Sequence, residues 1–235
     1  MSSFIEIKKE DGRVFSAYLS HPEISNGKAI VLLPEVYNIN QWVQEKTRKY
    51  ARAGYTVIAP DLFWRQKRDS HYEYSHPTEA REQGEKADIH GVLDDIGDCV
   101  NTLKKLAANQ DLQVSCIGFC LGGRIASLAA QRSDITSSIS YYGVKLEEDL
   151  EAITNTKKEI LFFFGSDDIW VSEKTVHAIE AIAKHNPYVK VKVFTGAKHG
   201  FDREIHENYS PSASEEAFSL VNDFLQKTEP MAKVA

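Results

Sequence analysis

The sequence predicts an α/β protein with a mostly parallel central sheet, helices on both faces and an N-terminal antiparallel hairpin. Three observations carry this expectation. Short continuous apolar runs alternate with longer stretches of helical period, as doubly buried strands and their crossover helices do. The opening residues instead alternate apolar with polar around a turn signal, the pattern of a half-buried hairpin. No Pro/Gly/Ser linker and no repeat interrupts the 235 residues, so a single domain is expected over 1–235.

The elements follow in order. The hairpin is read at Phe4–Lys8 and Val14–Leu19, joined through Asp11-Gly12. Strands rich in Val, Ile and Phe follow at Ala29–Leu33, Tyr55–Ala59, Gln113–Phe119, Ser138–Tyr142, Glu159–Phe164 and Val189–Phe194. Helices are expected at Gln41–Ala53, Gly84–Leu106, Leu121–Gln131, Glu173–Lys184 and Ser214–Lys227. Right-handed crossovers would then put the helices on both faces of the sheet. The stretch Trp64–Ala80 mixes aromatic, histidine and charged residues without a period, and reads as a long loop. Loops of that length are often the walls of active sites.

Composition excludes several function classes. Lys and Arg number 28 against 34 Asp and Glu, a net charge of −6, and no basic stripe marks a nucleic-acid surface. The longest apolar runs fall far short of the roughly 20 residues that span a bilayer, and the N-terminus lacks an apolar signal core. The expectation is a cytoplasmic protein, a monomer or weak homodimer, that acts on a small molecule and binds neither nucleic acid nor membrane. The three cysteines, Cys99, Cys116 and Cys120, have no second pair to complete a zinc site, so no metal is expected, nor a cofactor.

The most informative segment is Gly118-Phe119-Cys120-Leu121-Gly122-Gly123, a strand, then Gly-x-Cys-x-Gly, then a helix. A strand that turns this sharply into a helix strains its central residue, and glycines two before and two after remove the clashes. The central side chain then projects above the sheet at a helix N-terminus, where the dipole and free N–H groups favour negative charge on the nucleophile and on the oxyanion it creates. The usual residue there is Ser; here it is Cys120.

Such a nucleophile needs an acid and a histidine downstream, in that order. Ser166-Asp167-Asp168 follows an apolar strand at the carboxyl edge, where α/β sheets hold their sites. His199, in Lys198-His199-Gly200-Phe201, follows the next strand. Cys120, Asp168 and His199 are therefore the candidate triad, with Asp167 the alternative acid. Two rival readings are a carboxylate-binding protein without turnover and a redox pair of Cys116 with Cys120. Roughly 13 Å of extended chain separates those two cysteines, too far for a disulfide.

On these residues the chain resembles the dienelactone hydrolase family, a branch of the α/β hydrolases, from Gly27 to about Leu225. The markers are Leu33-Pro34-Glu35-Val36-Tyr37, the run Gly54–Leu62, the Gly118–Gly123 elbow, Tyr141-Tyr142-Gly143-Val144, Asp168-Ile169-Trp170-Val171 and His199-Gly200-Phe201. The cysteine at the elbow is specific to this branch, and the family's Asp-x-x-Val favours Asp168 as the acid. The resemblance implies a hydrolase of activated esters or lactones that carry a carboxylate. It implies that Glu35 helps make the nucleophile a thiolate and that the N–H groups of Val36 and Leu121 form the oxyanion hole. It further implies that Arg81 and Arg203 bind the substrate carboxylate, with Tyr37, Tyr142 and Trp170 lining its site. One departure stands out: where the family's dienelactone hydrolases carry aromatic pocket residues, this chain reads Gly84-Glu85-Lys86-Ala87-Asp88, which would place two acidic side chains near the site.

Overall fold

The computed structural model describes residues Met1–Thr228, which divide into two compact units, Met1–Val114 and Ser115 onward. Among the described residues there are eight strands. In the first unit these are β1 (Ser2–Lys8), β2 (Val14–Ser20), β3 (Lys28–Leu33) and β4 (Thr56–Pro60), in the spatial order β1-β2-β4-β3. β1 and β2 form the expected antiparallel hairpin, with Phe4 opposite Tyr18. β2 pairs antiparallel with β4, and β3 pairs parallel with β4. Helix α1 (Gln41–Arg52) packs on β4 and β2. It begins at Asn40, whose side chain accepts from Val43 N–H and so satisfies one of the helix's open donors.

The segment after β4 differs from the sequence reading. The loop ends at His76, and α2 occupies Pro77–Glu85. Proline at the first helical position fits there because its fixed φ suits a helix and its missing N–H would have had no partner. The long helix expected at Gly84–Leu106 is broken at Lys86–Asp88, and α3 runs only over Ile89–Leu106. The cause is Asp88, whose carboxylate accepts from Gly91 N–H at 2.9 Å and caps the new helix. Asp88 also pairs with Arg65 at 3.4 Å. It is thus a structural cap rather than a pocket acid.

The irregular segment from Trp64 to His76 is anchored at its start and again at Asp69. Asp95 of α3, almost wholly buried, accepts from Lys9 at 2.8 Å, from Trp64 Nε1 at 2.8 Å and from Arg65 at 2.6 and 2.9 Å. Nearby, buried Asp61 accepts from Asn38 at 2.6 Å and from the N–H groups of Phe63 and Asp69. Burial holds the Asp61 carboxyl above its ordinary range despite these donors. Asn38 has a left-handed backbone, φ 60°, a conformation that Asn tolerates better than most residues.

In the second unit, β5 (Gln113–Phe119), β6 (Ser138–Tyr141), β7 (Ile160–Gly165) and β8 (Val189–Phe194) lie in chain order and are parallel throughout. The helices are α4 (Leu121–Ala129), α5 (Leu150–Asn155), α6 (Glu173–His185) and α7 (Pro211–Lys227). α4 packs on β6 and α6 on β8. β7 is buried along its whole length, which is why it reads as a continuous apolar run. Ile160, Phe162 and Phe164 meet Leu146, Ile153, Ile179 and Val189 in one apolar cluster. Leu146 and Ile153 belong to a short 3-10 turn and to α5, neither long enough to show a period in sequence.

The Asp95 cluster yields a stability prediction. Asp95→Ala removes the counter-charge that Lys9 and Arg65 share, leaving Lys9 to Asp98 and Arg65 to Asp88, and should lower unfolding free energy by about 1.5–3 kcal/mol. Urea unfolding checks this, with exposed Asp11→Asn as the control that leaves the midpoint in place.

Candidate active site

Cys120 is the last residue before α4, and its backbone, φ 54° and ψ −113°, lies outside the regions L-residues favour. The glycines explain how the chain accepts this. A Cβ on Gly118 would stand 1.9 Å from the carbonyl oxygen of Gly122, and one on Gly123 would stand 2.8 Å from that of Tyr141. The strained residue is held by its neighbours: Cys120 N–H donates to Tyr141 O at 3.0 Å, and Cys120 O accepts from Arg124 N–H and Val144 N–H. Leu121 is the first residue of α4, where N–H groups have no acceptor within the helix.

Asp168 follows β7. One of its oxygens, Oδ1, accepts from the N–H groups of Trp170 at 2.7 Å and Val171 at 3.2 Å, which fixes the carboxylate. The other, Oδ2, lies 2.8 Å from His199 Nδ1. Asp167, the alternative acid, is exposed and accepts instead from Ser166 Oγ at 2.7 Å. The loops that carry the acid and the histidine are stitched together by Asp167 N–H to Ala197 O at 3.0 Å and Gly196 N–H to Ser166 Oγ at 2.8 Å. Their approach requires Gly165, because a Cβ there would sit 2.2 Å from Ala197 O. Sequence reasoning missed Asn208, which donates to His199 O at 2.9 Å and steadies the histidine turn from behind. Only the position of Asn208 beyond the His-Gly-Phe segment hints at that role.

His199 is buried, with Nδ1 engaged by Asp168 and its remaining side hydrogen-bonded to Cys120. Burial alone pushes its pKa down. The negative charge at Cys120 and the hydrogen bond and charge of Asp168 together outweigh this, and the pKa rises to about 9. The three groups therefore lie in one line of contacts, from Asp168 through the buried His199 to Cys120. By contrast, burial pushes the Cys116 thiol far up, and Cys99 is likewise buried; both are free thiols with no part in that line.

The aromatic residues around His199 complete this half. Tyr142 meets the imidazole edge to face at 5.0 Å, Trp170 at 6.5 Å, and Arg203 lies 6.0 Å over the Tyr142 ring. Trp170 is half exposed, whereas Arg203 is buried. The second unit thus brings together Cys120, Leu121, Tyr142, Asp168, Trp170, His199 and Arg203.

The remaining sequence-derived residues lie in the first unit. Glu35, in the turn after β3, is 1% exposed and accepts from Tyr74 Oη at 3.2 Å. Tyr37 meets Tyr74 edge to face at 4.6 Å. Val36 O accepts from Gln83 Nε2 at 3.3 Å. Arg81 is exposed on α2, as is Glu85. Tyr74 and Gln83 were not legible as partners of this turn, because nothing in their local pattern points to residues 39 and 47 positions earlier.

The sequence model of the dienelactone hydrolase family matches residues 15–229. The chain belongs to this family. Among its relatives, carboxymethylenebutenolidase 1 of Cupriavidus pinatubonensis is 27% identical over 91% of this chain and 92% of its own. The carboxymethylenebutenolidase of Pseudomonas putida is 28% identical over 94% of each. A crystal structure from Klebsiella pneumoniae assigned as a dienelactone hydrolase superposes with a TM-score of 0.82 at 20% identity, over 97% of this chain and 98% of that one, and shows the shared α/β-hydrolase fold. This dienelactone hydrolase family member is a hydrolase of ester and lactone bonds. Among the described residues, no helix is long and apolar enough to cross a membrane.

This line of contacts makes a pH prediction. A pKa raised from 6.5 to about 9 means that the imidazolium's contribution to stability is complete below about 6.5 and is lost as pH climbs through about 9. In Cys120→Ala the largest raising influence is gone, so the NMR titration midpoint of His199 should fall. A midpoint unchanged from wild type would show that Asp168 alone sets it.

Proposed function

We propose that this hydrolase acts on activated esters or lactones, above all enol-lactones that carry a carboxylate, with Cys120 as nucleophile, His199 as proton shuttle and Asp168 as the acid that orients it. The observation that carries the reading is the run of contacts from Asp168 through His199 to Cys120, on a cysteine held in the strained backbone of a nucleophile elbow.

The Cys120 thiolate attacks the carbonyl carbon, and the carbonyl electrons move to an oxyanion held by the N–H groups of Val36 and Leu121. Collapse breaks the bond to the leaving oxygen, which departs as an enolate and takes a proton from His199. His199, now neutral, removes a proton from water as that water attacks the thioester, and the thiolate leaves with the acid product. Asp168 holds the imidazole through Nδ1 and stabilises its charged form at each step.

The nucleophile restricts the substrate. A thiol has a pKa near 8.5, whereas an ordinary alcohol resembles water at about 15.7. The tetrahedral adduct of a plain alkyl ester would therefore expel the thiolate backwards. Enolates and phenolates leave far more readily, so turnover of an enol or aryl ester should exceed that of the matched ethyl ester by orders of magnitude. Comparable rates on both would contradict the thiolate mechanism.

Within the same reading Glu35 promotes the nucleophile, Arg81 and Arg203 bind the substrate carboxylate, and Tyr37, Tyr142 and Trp170 line the site. Two facts support the carboxylate preference. Arg203 is a buried guanidinium on the histidine's own turn, and the relatives' name describes a butenolide that bears a carboxymethylene group. Cys120→Ala should abolish turnover while the far-UV circular dichroism spectrum stays that of the wild-type fold. Arg203→Ala should weaken a carboxylate-bearing enol-lactone about ten- to a hundredfold, the worth of one charge-assisted hydrogen-bonded contact. A neutral analogue should be nearly unaffected. Equal losses on the two would leave a general hydrolase of activated esters.

A further inference from the structure

The turn that carries Glu35 is covered by the irregular segment after β4. Tyr72 N–H donates to Tyr37 O at 3.0 Å, and Asn38 Nδ2 donates to Ser70 O at 3.1 Å. Gln83 bridges the two segments, donating to Val36 O at 3.3 Å and to Ser70 O at 3.4 Å. Tyr74 then reaches the one charged side chain of the turn. Its ring is set edge to face on Tyr37, which leaves the hydroxyl aimed at Glu35 Oε2, 3.2 Å away. A carboxylate on two methylene groups has several rotamers, and a donor on a rigid ring favours the one that meets it.

We propose that Tyr74 is a positioning residue for the hydrolytic reaction: its hydroxyl holds the buried Glu35 carboxylate in one orientation, so that the seating of the 64–76 segment governs how well Glu35 promotes the nucleophile. This rests on the reading above, in which Glu35 acts on Cys120. It also gives the segment a task that its sequence does not announce.

The test is a double-mutant cycle between Tyr74→Phe and Glu35→Leu, read in two ways. Tyr74→Phe keeps the ring on Tyr37 and removes only the donor, so its melting temperature should match wild type. On an aryl ester or enol-lactone, Tyr74→Phe should lower kcat about three- to tenfold with KM nearly unchanged, and should cost nothing further in the Glu35→Leu background. The second readout is the rate at which iodoacetamide alkylates Cys120, followed by mass spectrometry, which needs no turnover. Tyr74→Phe should change this rate at least twofold when Glu35 is present and leave it unchanged in Glu35→Leu. Equal effects in both backgrounds, or none in either, would overturn the proposal. If the wild-type chain turned over no ester, the functional reading would fail, and the alkylation cycle alone would decide whether Tyr74 acts through Glu35.

Discussion

The second unit is organised around one backbone constraint: β5 must become α4 within a single residue. The left-handed strain at Cys120 costs on the order of 1–3 kcal/mol and persists only where the surroundings over-determine it. They do so here from both sides. Tyr141 O and Val144 N–H hold the peptide groups of Cys120 from β6 and the chain after it, and the space for Gly122 O exists only because position 118 has no Cβ. The same demand reaches Gly123 and Gly143, whose bare Cα atoms let α4 lie against the end of β6. A side chain at position 118 would displace the helix, and with it Cys120 and the N–H of Leu121. The motif's glycines are thus steric requirements of one turn, and the direction of the Cys120 side chain is their consequence.

Electrostatics then decides what a cysteine in that position can do. Burial by itself would strip His199 of its proton, yet the charge at Cys120 and the carboxylate of Asp168 more than compensate. The array is stable because each member has fixed partners: Asp168 is held by two backbone N–H groups, and His199 by Asp168 and Cys120. Removing one charge from such a set leaves the others buried and uncompensated, so its members act as a unit. Cys116, only four residues earlier, shows the contrast. With no such partner against it and no access to solvent, burial keeps it a neutral thiol.

Most of the fold is legible in the sequence for a physical reason. Strands buried on both faces, such as β7, must be apolar without interruption, and β5 and β8 keep the boundaries that their apolar runs suggest. The order of Cys120, Asp168 and His199 is legible because each follows a strand, and strand ends meet at one edge of a parallel sheet. What escapes is decided by single polar contacts. Asp88 ends one helix and caps the next, turning an apparent long helix into two. Pro77 converts the end of an apparent loop into α2. Tyr74, Gln83 and Asn38 find their partners across the chain, through side-chain geometry that leaves no period in the sequence. The choice between Asp167 and Asp168 is of the same kind. Both follow β7, and beyond the Asp-x-x-Val pattern it is the turn directing Trp170 and Val171 N–H onto Asp168 that separates them.

The histidine turn packs several steric demands into a few residues. Gly200 has φ 76°, a left-handed conformation that suits glycine, and the turn is closed by Phe201 N–H to Lys198 O and Arg203 N–H to Gly200 O. The Arg203 guanidinium folds back over this glycine: a Cβ at position 200 would lie 2.5 Å from its Cζ. Gly200 therefore satisfies two demands, the turn that presents His199 and the space that seats Arg203. Both side chains also press on Tyr142, the imidazole at 5.0 Å and the guanidinium at 6.0 Å from its ring. A carboxylate held by this arginine would consequently be registered against the imidazole through one short, tightly closed turn rather than through the flexing of separate loops. Under the proposed mechanism, orientation gained in this way is worth most because Cys120 is itself fixed by its strained backbone.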